Sequence, residues 1–331
     1  MQKSIIKFKN APTIISTYSV VGKKEFEGPL GAYFDEHGTD NKFGMTSWEK
    51  AEGEMQRRAL SGALKNANLT DSQVDILLSG DLLNQCVGSS YGLLDFDIPY
   101  IGLYGACSTC AEGLAIASCF VGNGTANICA SVTSSHFCSS ERQFRFPLEY
   151  GGQRTPTAQW TVTGAGAFIV GQGGNIEITE IVFGKSMDMG ISDINNMGAA
   201  MAPSAIDTLK RYFNESSHSP EDFDLIVTGD LGYEGSEILK DLLLQDGYDI
   251  RKNHVDCGLL IFDRTKQDVH SGGSGCGCSA SVLSSTILKN LENGSTKDVL
   301  FLGTGALMSP MTLFQGESIP GITHLIRLRR K

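Results

Sequence analysis

The stretch Thr70-Asp71-Ser72-Gln73-Val74-Asp75-Ile76-Leu77-Leu78-Ser79-Gly80-Asp81-Leu82 decides the reading of this chain. It is written again as Ser219-Pro220-Glu221-Asp222-Phe223-Asp224-Leu225-Ile226-Val227-Thr228-Gly229-Asp230-Leu231. The offset is constant, 224 − 75 = 149 and 219 − 70 = 149, and Asp, Gly, Asp and Leu return in the same places. Each copy reads as a capped turn, a buried strand and a Gly-Asp-Leu exit loop.

Working outward, a helix precedes each copy. In the first, Thr46 and Glu49 predict a capping box, with Trp48 opening the helix. Ala51, Met55, Ala59, Ala63 and Ala67 then recur every fourth residue as one apolar face, which ends near Asn68. In the second, Ile206, Leu209 and Phe213 share a face. Beyond each copy the parallel loosens. Pro99–Tyr104 reads as a strand, Gly105-Ala106-Cys107-Ser108-Thr109-Cys110 leads into a helix, and Gly122-Asn123-Gly124 ends it. Ile128, Ala130 and Val132 alternate as the next strand. In the second half Cys257–Phe262 reads as a strand. Gly272–Cys278 leads into a helix that stops at Asn293-Gly294, and Val299–Leu302 is the strand after it.

A period of half the chain is not a solenoid. Strands alternating with helices imply a duplicated α/β unit whose mixed sheets are covered by helices. The seam falls at Gly171-Gln172-Gly173-Gly174, dividing the chain into halves 1–174 and 175–331. Ile176, Ile178, Ile181 and Phe183 open the second half's first strand.

The 331 residues suffice for two fused halves. Lys+Arg is 27 against Asp+Glu 37, a net charge of −10. That excess disfavours nucleic acid and anionic lipid surfaces, which are bound through Lys and Arg. Lys7 and Lys9 interrupt the beginning of the chain, so no signal peptide is expected, and no apolar window is long enough to span a bilayer. The nine Cys (86, 107, 110, 119, 129, 138, 257, 276 and 278) sit mostly in apolar segments and are expected to be buried reduced thiols.

Cys107 stands first among chemical candidates. A strand, a tight Gly105-Ala106 turn and a helix start place it at a helix amino terminus, where a thiolate is stabilised and its pKa falls. The alternative is a small buried Cys packing the turn. Cys107-x-x-Cys110 and Cys276-x-Cys278 have the wrong spacing for paired zinc knuckles, so no metal site is expected. Of the six His (37, 136, 218, 254, 270 and 324), no two share a metal-ligand spacing. His136 follows Thr133-Ser134-Ser135 at a strand's carboxyl end, where ligand sites of open α/β sheets collect. It reads equally as a histidine satisfied by backbone. Arg142 and Arg145 lie in Glu141-Arg142-Gln143-Phe144-Arg145, with Arg154 nearby, and suit either a carboxylate ligand or salt bridging. The glycine loop at 272–277 lacks the Lys-Ser/Thr of a phosphate loop.

The duplicated half, Gly105-Ala106-Cys107-Ser108-Thr109 and the glycine loops at 272–277 and 303–306 resemble the thiolase and β-ketoacyl synthase superfamily over nearly the whole chain. More narrowly, five stretches are similar to the stage V sporulation protein AD family of endospore-forming bacteria. They are Gly80-Asp81-Leu82-Leu83-Asn84-Gln85, Thr133-Ser134-Ser135-His136, Glu141–Arg145, Glu149-Tyr150-Gly151-Gly152-Gln153 and Ser271-Gly272-Gly273-Ser274-Gly275-Cys276.

The resemblance implies a thiolase-like five-layered αβαβα fold, with two central helices between two sheets, and a homodimer. Catalytic members use a Cys at the position of Cys107, together with a His and a further His or Asn from the second half. Here Thr228-Gly229-Asp230-Leu231 and Gly275-Cys276-Gly277 stand at those loops, so Cys107 is expected to be a vestigial nucleophile. The sporulation family implies a noncatalytic protein that binds dipicolinic acid (pyridine-2,6-dicarboxylate), with Ca²⁺ as a companion of the ligand, for uptake into the forespore. Its implied partners are other stage V sporulation A membrane proteins, which would hold a soluble, cytoplasmic-type chain peripherally at the forespore or spore inner membrane. The implied ligand pocket draws on Cys107, Ser108, Ser134, Ser135, His136, Gly229, Asp230, Cys276 and Gly305, with Arg142 or Arg145 as anion contacts. Two other readings stand beside it: an acyltransferase, β-ketoacyl synthase or thiolase using Cys107 on an acyl thioester, and a structural adaptor with a relic pocket.

Overall fold

The computed structural model describes residues 4–145 and 152–331. Ten strands form one continuous path whose order is a palindrome of the two halves. At its centre Thr13–Val21 meets Ile176–Val182 through the antiparallel pairs Thr13↔Glu177 and Ile14↔Ile176. Outward through the first half run Gly164–Gly171, Cys129–Ser135, Ile76–Gly80 and Tyr100–Gly102. Outward through the second run Gly321–Arg330, Asp298–Ala306, Leu225–Thr228 and His254–Asp256. In each half the two inner pairings are antiparallel and the two outer ones parallel. The repeated strands Ile76–Gly80 and Leu225–Thr228 therefore hold equivalent places.

Side-chain alternation along these strands builds the layers. In Gly164–Gly171, Phe168 and Val170 face a central core while Ala167 and Ile169 face an outer one. In Asp298–Ala306, Val299 and Phe301 point to the same central core, and Leu300 and Leu302 to the opposite outer one. The helix Trp48–Ala67 covers one outer face. Met197–Glu215 and Gly232–Gln245 cover the other. Between the sheets lie two helices. The first is Thr109–Gly122; the second is Cys276–Val282, continued through a π segment at Leu283–Ile287 and a last stretch at Leu288–Asn293. The result is the five-layered αβαβα arrangement.

Both central helices are rich in Ala, Gly, Ser and Cys because sheet backbones press on them. A Cβ on Gly166 would come within 2.5 Å of Ala280 O, and one on Gly303 within 2.8 Å of Ser108 O. Their serines return hydroxyls to the helix's own carbonyls, as Ser118 does to Leu114 (2.7 Å) and Ser284 to Ala280 (2.8 Å). Polar atoms thus enter a dry layer already satisfied.

Two sequence expectations are corrected. Cys257–Phe262 is not a strand: the strand is His254–Asp256, and Cys257–Leu260 is a short helix whose first turn Asp256 caps, accepting from Leu259 N. A six-residue apolar run does not by itself distinguish the two forms. The first long helix is capped by Ser47, which accepts from Lys50 N at 3.3 Å, rather than by Thr46. All nine cysteines are free, and all but the half-buried Cys119 are buried. The cap gives a direct check. Ser47→Ala should lower stability to urea by about 1 kcal/mol, and Thr46→Ala should leave it within about 0.5 kcal/mol of the parent.

Candidate functional site

The turn ahead of the first central helix is held by its own hydroxyls. Ser108 Oγ donates to Gly105 O at 2.6 Å, and Thr109 Oγ1 donates to Ala106 O at 2.7 Å while accepting from Gly105 N at 3.0 Å. Ala106 sits at φ 50, a left-handed conformation uncommon for a residue with a Cβ. Gly305 lets the turn close, since a Cβ there would meet Gly105 O at 2.5 Å. Ser108 and Gly305 therefore shape the site from behind. The turn presents Cys107 to a narrow cleft of about 30 Å³ that opens to solvent.

The polar wall of that cavity is Cys107, Ser140, Glu141, Arg145, Thr161 and Ser274. Leu82, Tyr104, Phe144, Met197 and Met308 supply most of the apolar wall. Ser274 and Thr161 meet because Gly273–Ser274 pairs in parallel with Trp160–Thr161. Arg145 pairs with Glu141, which also accepts from Thr161 Oγ1 at 2.9 Å. Arg145 Nη1 donates to Gln159 O at 3.2 Å, whereas among the described residues Nη2 meets only the Met197 sulfur at 3.9 Å. Ser140 Oγ is buried with no partner among the described residues. Both groups leave donor capacity at the cavity wall.

Behind Cys107 stands Asp230. Its carboxylate accepts from Gly275 N at 2.7 Å, Ser274 Oγ at 3.3 Å and Thr304 Oγ1 at 2.9 Å, and its charge faces the Cys107 thiol. Burial raises its pKa to about 6. A second buried carboxyl, Asp256, lies nearby, pushed up to about 7 by burial and held by Thr228 Oγ1 (2.7 Å) and Leu231 N (2.8 Å). Cys107 is consequently the reverse of the expected activated thiol. Burial first, and then the Asp230 charge, hold its pKa well above the ordinary thiol value. The helix amino terminus does not outweigh a desolvated thiol facing a carboxylate.

Several expected pocket residues lie elsewhere. Ser134 Oγ donates to Glu52 (3.0 Å) and accepts from Gln56 (2.7 Å), inside a buried polar network under the first sheet. Ser135 Oγ donates to Val162 O at 2.7 Å. His136 meets Asn41 O at 2.7 Å and caps the helix Phe137–Phe144 by accepting from Cys138 N; burial lowers its pKa to about 4, so it is neutral. Cys276 packs beside Cys107 and Leu82 but turns its thiol to Ser134 O at 3.0 Å. Gly229 lies under the second central helix, where a Cβ would meet Ser279 Cβ at 3.3 Å. Arg142 pairs outside the cavity with Glu49 and lies over the Trp48 ring. Of the two arginines, only Arg145 reaches the cavity. Glu149-Tyr150-Gly151 falls outside the described residues.

The cavity residues that sequence reasoning passed over are Ser140, Thr161 and Ser274. Ser140 and Ser274 stand within or beside motifs quoted above, and that neighbourhood was the available signal. Thr161 carries none.

Comparison with known proteins follows the geometry. The family described as stage V sporulation protein AD matches residues 2–329. A stage V sporulation protein AD of Bacillus subtilis (strain 168) is 45% identical over 324 residues, covering 98% of this chain and 96% of that protein. Among solved structures, an OleA from Xanthomonas campestris superposes with a TM-score of 0.61 at 13% identity, over 98% of this chain and 99% of its own. The 3-oxoacyl-[acyl-carrier-protein] synthase III of Aquifex aeolicus gives 0.54 at 14% identity, over 96% and 99%. At these identities the two structures share the fold.

The Asp230 contact predicts thiol behaviour. Cys107 should react with iodoacetamide far more slowly than a free thiol at pH 7.5. Asp230→Asn should speed that reaction severalfold, because removing the carboxylate charge lowers the thiol pKa. Peptide mapping of the alkylated protein checks both, and an unchanged rate in the variant would remove Asp230 as a cause.

Proposed function

The chain belongs to the stage V sporulation protein AD family, and from that premise we propose that it is a noncatalytic binding protein for pyridine-2,6-dicarboxylate, taken up into the forespore. The cavity before Cys107 is its ligand site. The observation that carries this reading is Arg145: a largely buried guanidinium at the wall of a narrow cleft, with Nη2 not engaged by oxygen among the described residues. A flat aromatic dicarboxylate asks for donors at its carboxylates and apolar walls at its ring. Arg145, Ser140 and Ser274 supply donors; Leu82, Phe144 and Met308 supply the walls.

The condensing-enzyme alternative meets Asp230 where it needs the opposite. Acyl transfer through Cys107 requires a thiolate and donors aimed at a developing oxyanion. A buried carboxylate against the sulfur disfavours both negative charges. Ca²⁺ belongs to the binding reading as cargo chelated by the ligand. Among the described residues no group of three or more His, Cys, Asp or Glu is placed to hold a metal.

Partners complete the proposal. No helix among the described residues is long and apolar enough to cross a membrane, so attachment at the forespore membrane would come through the other stage V sporulation A proteins. A second copy would pair at the open sheet edge Tyr100–Gly102, which is exposed at all three residues.

Calorimetric titration with pyridine-2,6-dicarboxylate tests the site. Arg145→Ala should weaken binding about 10- to 100-fold, the loss of one charge-assisted contact of about 1.5–3 kcal/mol. Arg142→Ala should bind like the parent. Parental affinity in Arg145→Ala would move the ligand out of this cavity.

A further inference from the structure

The cavity's charges do not balance a dianion. Arg145 is the one cation among the described residues that line it, and Glu141 already opposes it. Directly behind the sulfur lies Asp230, with Asp256 beyond. The other titratable groups around Asp230 bring no positive charge. Cys276 and Cys278, from the second central helix, have thiol pKa values raised well above ordinary by burial. Cys257 is raised in the same way. His254, which reaches toward Asp256 through Thr228 Oγ1 at 2.9 Å, is lowered by burial to about 4 and is neutral. A bound dicarboxylate therefore adds two negative charges to a site whose own groups already sum to an excess of anions.

The donors are contested as well. Ser274 and Cys107 line the cavity on this side; Asp230 holds the Ser274 hydroxyl at 3.3 Å, and its charge faces the Cys107 thiol. An ionised carboxylate accepts only, whereas a protonated one carries an O–H of its own and gives up acceptor capacity. Protonated at Oδ2, Asp230 can keep Gly275 N and Thr304 Oγ1 and donate its own O–H to Ser274 Oγ, which frees the Ser274 hydroxyl hydrogen for a ligand.

We propose that Asp230 is a proton site coupled to occupancy of the cavity: an anionic ligand gains the Ser274 donor as Asp230 takes up one proton from solvent. This rests on the dicarboxylate reading above and adds its regulation. The sign follows from repulsion. The ligand's charge stabilises the protonated carboxyl, so binding raises the pKa of Asp230 above its free value of about 6. Affinity then falls as pH rises through the window above that value, until the pKa of the complex is passed. A dicarboxylate is already fully ionised there. Asp256 is excluded as the coupled group by its contacts, which are to Thr228, Leu231, Gly232 and Leu259 rather than to the cavity wall.

The experiment is calorimetry of the wild-type protein with metal-free pyridine-2,6-dicarboxylate at pH 6, 7 and 8, each in two buffers of different ionisation heat. The expected result is an uptake approaching one proton per ligand at pH 7, with affinity weakening by up to about tenfold per pH unit. The monoanion pyridine-2-carboxylate should take up fewer protons. Asp230→Asn should bind with an affinity flat across this range, and Asp256→Asn should keep the wild-type slope. Saturable wild-type binding with no net proton uptake would overturn the coupling and leave the ligand reading intact. Absence of saturable binding at every pH would remove both.

Discussion

Two sheets can grip the same pair of helices only where side chains give way to backbone, and that constraint governs this molecule. The close approaches at Gly166 against Ala280 and at Gly303 against Ser108 set the thickness of the central layer. They force small residues along both helices, and they fix the height at which the first helix begins. Because Gly305 meets the same turn, the position of Cys107 follows from sheet-to-helix packing. A cavity built on such a turn is rigid at its floor, and its adjustable parts are the side chains of Phe144, Arg145 and Met308 above it.

Much of this was legible in the chain. The Gly-Asp-Leu repeat exposed the duplication because its spacing is constant and its strands are buried on both faces, which suppresses variation in pattern. Cys107 at the head of a helix was legible from the turn chemistry of Gly105-Ala106. Other features were not. Ser134, Ser135 and His136 look like pocket donors at a strand end, yet they turn toward Glu52, Gln56 and backbone. The sign was present in the helix Trp48–Ala67, where Glu52 and Gln56 stand beside Ala51 and Met55 on the apolar face and must find partners within the protein. The meeting of Thr161 with Ser274 could not be read, since it depends on a pairing across the two halves.

Duplication also left two versions of one carboxylate. Asp81 and Asp230 occupy the same place in the repeat, and both are buried. Asp81 is closed in by Leu83 N, Ser89 N and Ser89 Oγ at 2.6 to 2.8 Å, with every donor inside the protein. Asp230 shares donors with the cavity wall instead. The same residue in the same fold position is closed off in one half and bonded to the cavity wall in the other. The difference lies in the neighbours each half supplies, above all the cavity-lining Ser274 that Asp230 holds.

The short pairing of Gly273–Ser274 with Trp160–Thr161 has a kinetic meaning. It joins segments more than a hundred positions apart, one from each half, and contacts of such separation form late because loop closure must precede them. Either half can complete most of its own sheet before this ribbon closes. The cavity, whose Ser274 and Thr161 walls meet in that ribbon, is then among the last features to form. A molecule that bound only the finished cavity would draw the folding population toward the native state by mass action.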